Sequence, residues 1–107
     1  MEKRRFVRMK SQFCVWYQTI DKSNVYFDRP LSKDISPVGL LIELDKKEEE
    51  GSFLMMKFKL PSLKRNISVK GQVVRVKKIG DHKYDVGIEF TDINEEDMVA
   101  IRKLVWK

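Results

Sequence analysis

The sequence predicts an all-β domain in which about six short strands form an antiparallel sheet, closed into a small barrel and followed by one C-terminal helix. Short β-favouring apolar segments recur between polar turns. Alternation with a period of two is clearest in residues 84–90, and the period becomes helical after Asn94. With 107 residues, the chain has the size of a single domain.

The first predicted strand, residues 13–20, carries aromatic side chains at both odd and even positions, so periodicity does not decide which of its faces is buried. A short strand at 25–27 precedes Pro30. Residues 45–51 are predicted to be a solvated connection, closed by a glycine that can take a positive φ. The other strands are predicted at residues 31–35, 38–44, 53–60, 67–79 and 84–90.

The longest predicted strand contains a change of phase. Its early apolar residues fall on odd positions up to Val73, and Val74 and Val76 then continue the pattern on even positions. One inserted residue exchanges the two faces of a strand, so we expect a β-bulge between Gly71 and Val74, where the strand bends. A polar turn at 80–83 then makes a hairpin to the last strand.

The terminal helix has a clear beginning. Asn94 is a favourable N-cap, and the acidic residues that follow it suit the positive end of the helix dipole. Its apolar stripe is narrow, so we expect the helix to cover one end or one open seam of the barrel. The stripe consists of Met98, Ile101, Leu104 and Val105.

The charge balance favours an anionic partner. There are 22 lysines and arginines against 16 acidic residues, a net charge of +6, and the pI is about 9.5. Cys14 is the single cysteine and His82, in a polar turn, the single histidine, so the sequence predicts no disulfide and no metal cluster. No nucleophile motif or phosphate-binding glycine loop is present, and we therefore expect no enzyme activity.

No apolar run approaches the roughly 20 residues that span a bilayer. The first residues do not lead into the apolar core of a secretory signal. The simplest predicted location is the cytoplasm.

An arginine-dense arm opens the chain. If the arm is extended, Arg4 and Arg8 point the same way and lie roughly 13 Å apart at about 3.3 Å per residue; Arg5 adjoins the first. Guanidinium groups bind phosphate or a guanine edge in bidentate fashion and also stack on bases. Such an arm could reach two groups of one dinucleotide, although a merely solvated basic terminus has the same composition.

A second polar stretch, residues 34–39, lies between two strand-like segments. Asp34 can accept hydrogen bonds from guanine N1–H and the exocyclic amine, and Ser36 can serve a phosphate or a base edge. Gly39 allows close backbone approach to a flat ligand, or supplies a special φ. The alternative is an ordinary turn, in which Asp and Ser bond the local backbone and Pro37 sets φ.

Together, Arg4-x-x-x-Arg8 and Asp34-x-Ser36-x-x-Gly39 resemble the PilZ domain family, the bacterial receptor module for cyclic di-GMP. The resemblance covers essentially the whole chain, including residues 87–90 and the terminal helix. It implies a six-stranded antiparallel β-barrel with a C-terminal helix and no catalysis. Residues 1–12 would be the arm that clasps cyclic di-GMP, which is a ligand and not a cofactor, on the barrel of residues 13–107. The implied ligand-binding residues are Arg4, Arg5, Arg8, Asp34, Ser36 and Gly39.

The chain departs from neither motif, but only three residues precede Arg4, where many PilZ proteins carry another domain. For a full-length protein, a protein effector partner or dimerisation would then report binding; an excised domain would lack its output domain. Two other functions fit the composition. Trp16, Tyr17 and Tyr26 could form a stacking groove for single-stranded nucleic acid, and Trp106 with the helix face could meet a protein.

Overall fold

The computed structural model describes residues 9–10, 14–20, 32–60 and 65–105, which form one antiparallel sheet and one helix. Six strands have five or more residues, and a two-residue strand precedes them. The predicted strand at 25–27 and the arginines of the arm lie outside the described residues. The strands are β1 (Met9–Lys10), β2 (Val15–Thr19), β3 (Ser32–Ser36), β4 (Gly39–Leu44), β5 (Phe53–Phe58), β6 (Ile67–Gly80) and β7 (Lys83–Asp92), and the helix is α1 (Glu95–Val105).

The strands follow the order β1-β3-β4-β7-β6-β5-β2, and every neighbouring pair is antiparallel. The six longer strands form a half-barrel, which confirms the predicted all-β class with a terminal helix. β6 and β7, with 14 and 10 residues, are the longest strands and lie in the middle of this order. The sheet curves around one core, whose largest fully buried side chains include Tyr17, Phe58 and Leu60.

The predicted bulge is present in β6. The register with β7 shifts between Lys70 and Gly71 and again between Val73 and Arg75, so Val74 is left out of the ladder. Val73 is buried, whereas Val74 is 49% exposed. Val74 therefore does not begin a second buried row; as the extra residue of the bulge, it faces the surface.

Packing decides the face of β2 that periodicity left open. Val15, Tyr17 and Thr19 are buried, and Trp16 between them is 42% exposed. The odd positions face the core because β2 pairs with β5 in a register that places Tyr17 opposite Met56, which is itself buried.

The connection between β4 and β5 is less exposed than the sequence predicts. Gly51 has the expected positive φ of 93°. Glu48, however, is buried and accepts a hydrogen bond from the Tyr17 hydroxyl across 3.4 Å, while Lys46 Nζ lies 3.3 Å from the same carboxylate. The run of glutamates predicts a solvated turn. Glu48 instead anchors the turn to the core through Tyr17 on β2, and it also pairs with Lys46 of the turn itself.

The helix begins as predicted. The Asn94 side-chain oxygen accepts a hydrogen bond from the Glu96 amide at 2.8 Å, which is the geometry of an N-cap. Ile101, in the middle of the predicted stripe, is fully buried in the core, and the helix contacts β3. The stripe therefore holds α1 against the sheet, close to the strand that carries Asp34.

A second link holds the helix from the other side. Arg65, which precedes β6, places Nη1 at 2.7 Å from Oδ1 of Asp97, a buried residue in the first turn of α1. The contact is an ion pair rather than a well-aligned hydrogen bond. It gives a positive partner to a carboxylate that has little access to water.

Arg65→Ala is expected to lower the free energy of unfolding by about 1–3 kcal/mol, because Asp97 would remain buried without its counter-charge. Urea unfolding followed by circular dichroism measures the change. Arg102→Ala, at an exposed position of the same helix, is the control and should stay within about 0.5 kcal/mol of the wild type. Equal stability of the two variants would show that Asp97 needs no positive partner.

Candidate functional site

Residues 34–39 form the β3–β4 hairpin. β3 ends at Ser36, which pairs with Gly39, and Pro37 and Val38 form the turn between them. The Ser36 hydroxyl accepts a hydrogen bond from the Val38 amide at 3.2 Å, and Ser36 is buried. The turn alternative therefore describes this serine correctly: its side chain closes the hairpin locally.

Gly39 is needed for a close approach between strands. It does not adopt a positive φ, so the special conformation considered from the sequence does not occur. A β-carbon at this position would lie 2.5 Å from the backbone oxygen of Ile88, well inside van der Waals contact. The Phe90 amide also donates to the Val38 carbonyl at 2.8 Å, so β7 lies tightly against the hairpin.

Asp34 is half-buried on β3, opposite Leu41. Among the residues that the structure describes, none donates a hydrogen bond to its carboxylate. The adjacent Lys33 is engaged elsewhere: its Nζ donates to Asp85 Oδ1 at 2.9 Å and lies 3.9 Å from Glu43. The hydrogen bond to Asp85 raises the pKa of Lys33, so this lysine remains charged and directed mainly to β7. Within the described residues, Lys33 therefore does not occupy the Asp34 carboxylate.

Asp34, Ser36 and Gly39 line one open groove of about 320 Å³. Opposite them, β6 and β7 contribute Val74, Arg75 and Glu89. Sequence reasoning did not include these last residues in the site. The predicted bulge was the feature of the sequence that could have identified them. A bulge turns a side chain out of the regular alternation and often lies beside a binding site.

The structure also shows where the arm joins the sheet. Met9 and Lys10, which follow Arg8 in the sequence, form β1, and β1 pairs with β3 so that Met9 lies opposite Ile35 and Lys10 opposite Asp34. The backbone that directly follows Arg8, within the predicted arm, is thus aligned with the Asp34 side of the groove. Arg4, Arg5 and Arg8 themselves lie outside the described residues.

The groove combines carboxylates with a guanidinium and a small apolar surface. Asp34 and Glu89 offer hydrogen-bond acceptors, Arg75 is a donor and Val74 presents a face on which a planar group can rest. No group of histidine, cysteine and acidic residues suited to a metal ion occurs in the described part of the chain. The groove is therefore chemically suited to bind a polar, planar ligand.

The model of the PilZ domain family matches residues 2–106. The chain belongs to the PilZ domain family. A comparison with curated proteins gives no match. Of the two motifs on which the resemblance to the PilZ domain is based, only the second, residues 34–39, lies within the described residues.

Several solved structures share this fold. The Bacillus subtilis inhibitor of motility MotI/DgrA matches with a TM-score of 0.82 and 23% identity, over 98% of this chain and 50% of that chain. The PilZ domain of YcgR from Escherichia coli with c-di-GMP matches at 0.74 and 12% identity, over 98% and 90%. The K. pneumonia MrkH–c-di-GMP complex matches at 0.72 and 16%, over 97% and 51%. This PilZ domain thus spans about half the length of MotI/DgrA and MrkH.

The stacking groove considered for single-stranded nucleic acid loses one of its three residues, because Tyr17 is buried; Trp16 is exposed, and Tyr26 lies outside the described residues. Trp106, on which the helix alternative depends, also lies outside them, so that alternative stays a prediction. Within the described residues, no helix has the length and apolarity needed to span a membrane.

Proposed function

We propose that this PilZ domain is a non-catalytic cytoplasmic receptor for cyclic di-GMP. The observation that carries the proposal is the meeting of Asp34, Ser36 and Gly39 in one groove beside the strand that directly follows Arg8. Two similar structures were determined with c-di-GMP, those of the YcgR domain and of MrkH, which supports the choice of ligand.

In the proposed complex, Asp34 reads guanine. A carboxylate accepts from guanine N1–H and from the exocyclic amine at the same time, and no donor among the described residues competes for it. Ser36 and Gly39 act through the shape of the groove, because one closes the hairpin and the other brings β4 against β7. The hairpin is thus the rigid half of the site.

The arm of residues 1–12 is the other half, and residues 13–107 form the barrel and helix on which it closes. Arg4 and Arg8 bind the two phosphates or stack on the bases, and Arg5 assists them. Without ligand, three guanidinium groups within five residues repel one another, and the ligand's negative charge removes that repulsion. Ordering of the arm then changes the surface offered to a protein effector.

Thermal unfolding with different nucleotides tests the proposal. At a hundredfold excess over its dissociation constant, cyclic di-GMP should stabilise the domain by about 2.7 kcal/mol, which raises Tm by roughly 10–20 °C for a domain of this size. GMP, cyclic GMP and a short single-stranded oligonucleotide at equal concentration should have little effect. A rise with the oligonucleotide instead, and no rise with cyclic di-GMP, would identify a nucleic-acid-binding barrel.

A further inference from the structure

The positive charge of this protein is concentrated in one continuous segment. Residues 53–80, which run from the start of β5 to the end of β6, contain eight lysines and arginines and no acidic residue. All 16 acidic residues therefore lie outside this segment, and the rest of the chain is slightly negative. The basic excess belongs to two adjacent strands and their connection, and it does not depend on the arginines of the arm.

Large apolar side chains share the outer surface of these strands with the lysines. Trp16 on β2 and Ile20 directly after it are 42% exposed, and Phe53 and Met55 on β5 are 39% exposed. The register explains why they are neighbours: Trp16 lies opposite Lys57, Gln18 opposite Met55, and the Ile20 amide donates to the Phe53 carbonyl at 3.0 Å. Side chains directly opposite one another across a ladder share a face.

β6 extends the same face. Ser68 lies opposite Lys57, Lys70 opposite Met55 and Gln72 opposite Phe53. A groove of about 470 Å³ lies here, with Trp16, Met55, Lys57, Asn66 and Ser68 among the residues that line it. We call these outward positions of β2, β5 and the first half of β6 the Trp16 face. On β7, Asp92 lies opposite Lys70 and Glu89 opposite Gln72, so the far side of β6 has an acidic border.

We propose that the Trp16 face binds a protein segment that presents apolar side chains flanked by carboxylates. Grouped exposed apolar side chains on a folded domain mark interaction surfaces more often than single ones do. Lysines beside them, with no acid on the three strands, favour a negatively charged partner. The face would be the effector surface of the proposed receptor, but its chemistry does not depend on cyclic di-GMP.

Other partners fit the face less well. A second copy related by a two-fold axis would bring Lys57 and its neighbours close to their own equivalents, which is unfavourable without intervening acids. Single-stranded nucleic acid would need successive aromatic platforms, and here the Gln18–Met55 pair, which contains no aromatic ring, lies between Trp16 and Phe53. The apolar part of the face, formed largely by Met55 and Ile20, is suited to protein side chains.

Two synthetic amphipathic peptides of about 15 residues provide the probe. They share the same leucines, and the intervening positions are glutamate in one and lysine in the other. Titrated into the ¹⁵N-labelled chain, the glutamate peptide should shift the Trp16 indole signal and the Met55 and Lys57 amides, with a Kd at least tenfold lower than that of the lysine peptide. In Lys57→Glu/Lys70→Glu, which reverses two charges on the Trp16 face, the preference should reverse.

Arg102→Glu/Lys103→Glu is the control, because it makes the same change in net charge on exposed helix residues and should leave the preference unchanged. Equal binding of both peptides, or of neither, overturns the proposal. So do shifts of the Trp16 signal with oligo-dT or phosphatidylglycerol vesicles in place of the peptide, or a dimer that Trp16→Ser dissociates. Calorimetry with cyclic di-GMP on the same samples shows separately whether the nucleotide site is intact.

Discussion

Asp34→Asn is expected to weaken cyclic di-GMP binding by roughly 10- to 100-fold, which corresponds to the loss of about 1.5–3 kcal/mol from charge-assisted hydrogen bonds. The amide keeps the shape of the side chain, but it offers a donor where guanine also presents donors, and it has no charge. Titration calorimetry measures the loss. Arg8→Ala should weaken binding to a similar degree, because the phosphates would lose a bidentate partner.

The stability of the unliganded variant should show whether Asp34→Asn impairs ligand recognition or folding. No described residue donates a hydrogen bond to the Asp34 carboxylate, so we expect the Tm of unliganded Asp34→Asn to stay within a few degrees of the wild type. Asp45→Asn and Arg102→Ala, both at exposed positions, are the matched controls and should retain full affinity. Wild-type affinity in Asp34→Asn together with Arg8→Ala would remove both residues from the site.

Gly39→Ala is expected to lower the free energy of unfolding by about 2–3 kcal/mol, near the upper end for an overpacked site. The added carbon would lie 2.5 Å from the Ile88 carbonyl oxygen, and the obstacle is backbone rather than a flexible side chain. β4 and β7 would have to separate at the position where they form the groove. Cyclic di-GMP affinity should therefore fall together with stability, as measured by urea unfolding and calorimetry.

Gly87→Ala is the matched control for this experiment. Gly87 also lines the groove, yet a β-carbon there would meet only Arg75, at 3.7 Å from its Cβ and 3.9 Å from its backbone oxygen, which are ordinary contacts. Its stability should remain within about 0.5 kcal/mol of the wild type. If Gly39→Ala were as stable as Gly87→Ala, the close approach of the strands would not be the reason for a glycine at position 39.

Much of the fold could be predicted because its signals are local. The Asn94 cap, the turn at 80–83 and the phase change near Val73 each depend on a few adjacent residues, and all three occur as expected. The same local reasoning predicted that the charged turn at 45–51 is exposed, and this prediction is wrong for Glu48, which is buried. Local composition did not reveal that its carboxylate would contact the Tyr17 hydroxyl, 31 positions away.

By itself, the sequence determined the all-β class with a terminal helix, the approximate positions of β2 to β7 and α1, and the resemblance to the PilZ domain family. It did not predict β1, which lies within the arm. Only the tertiary structure decided that Asp34 shares a groove with Val74, Arg75 and Glu89, and that Gly39 is required by the Ile88 carbonyl rather than by its own φ. Side-chain periodicity shows which residues share a face of one strand. It does not show which strand lies beside it, because strand pairing is a long-range choice made by the packing of the whole core.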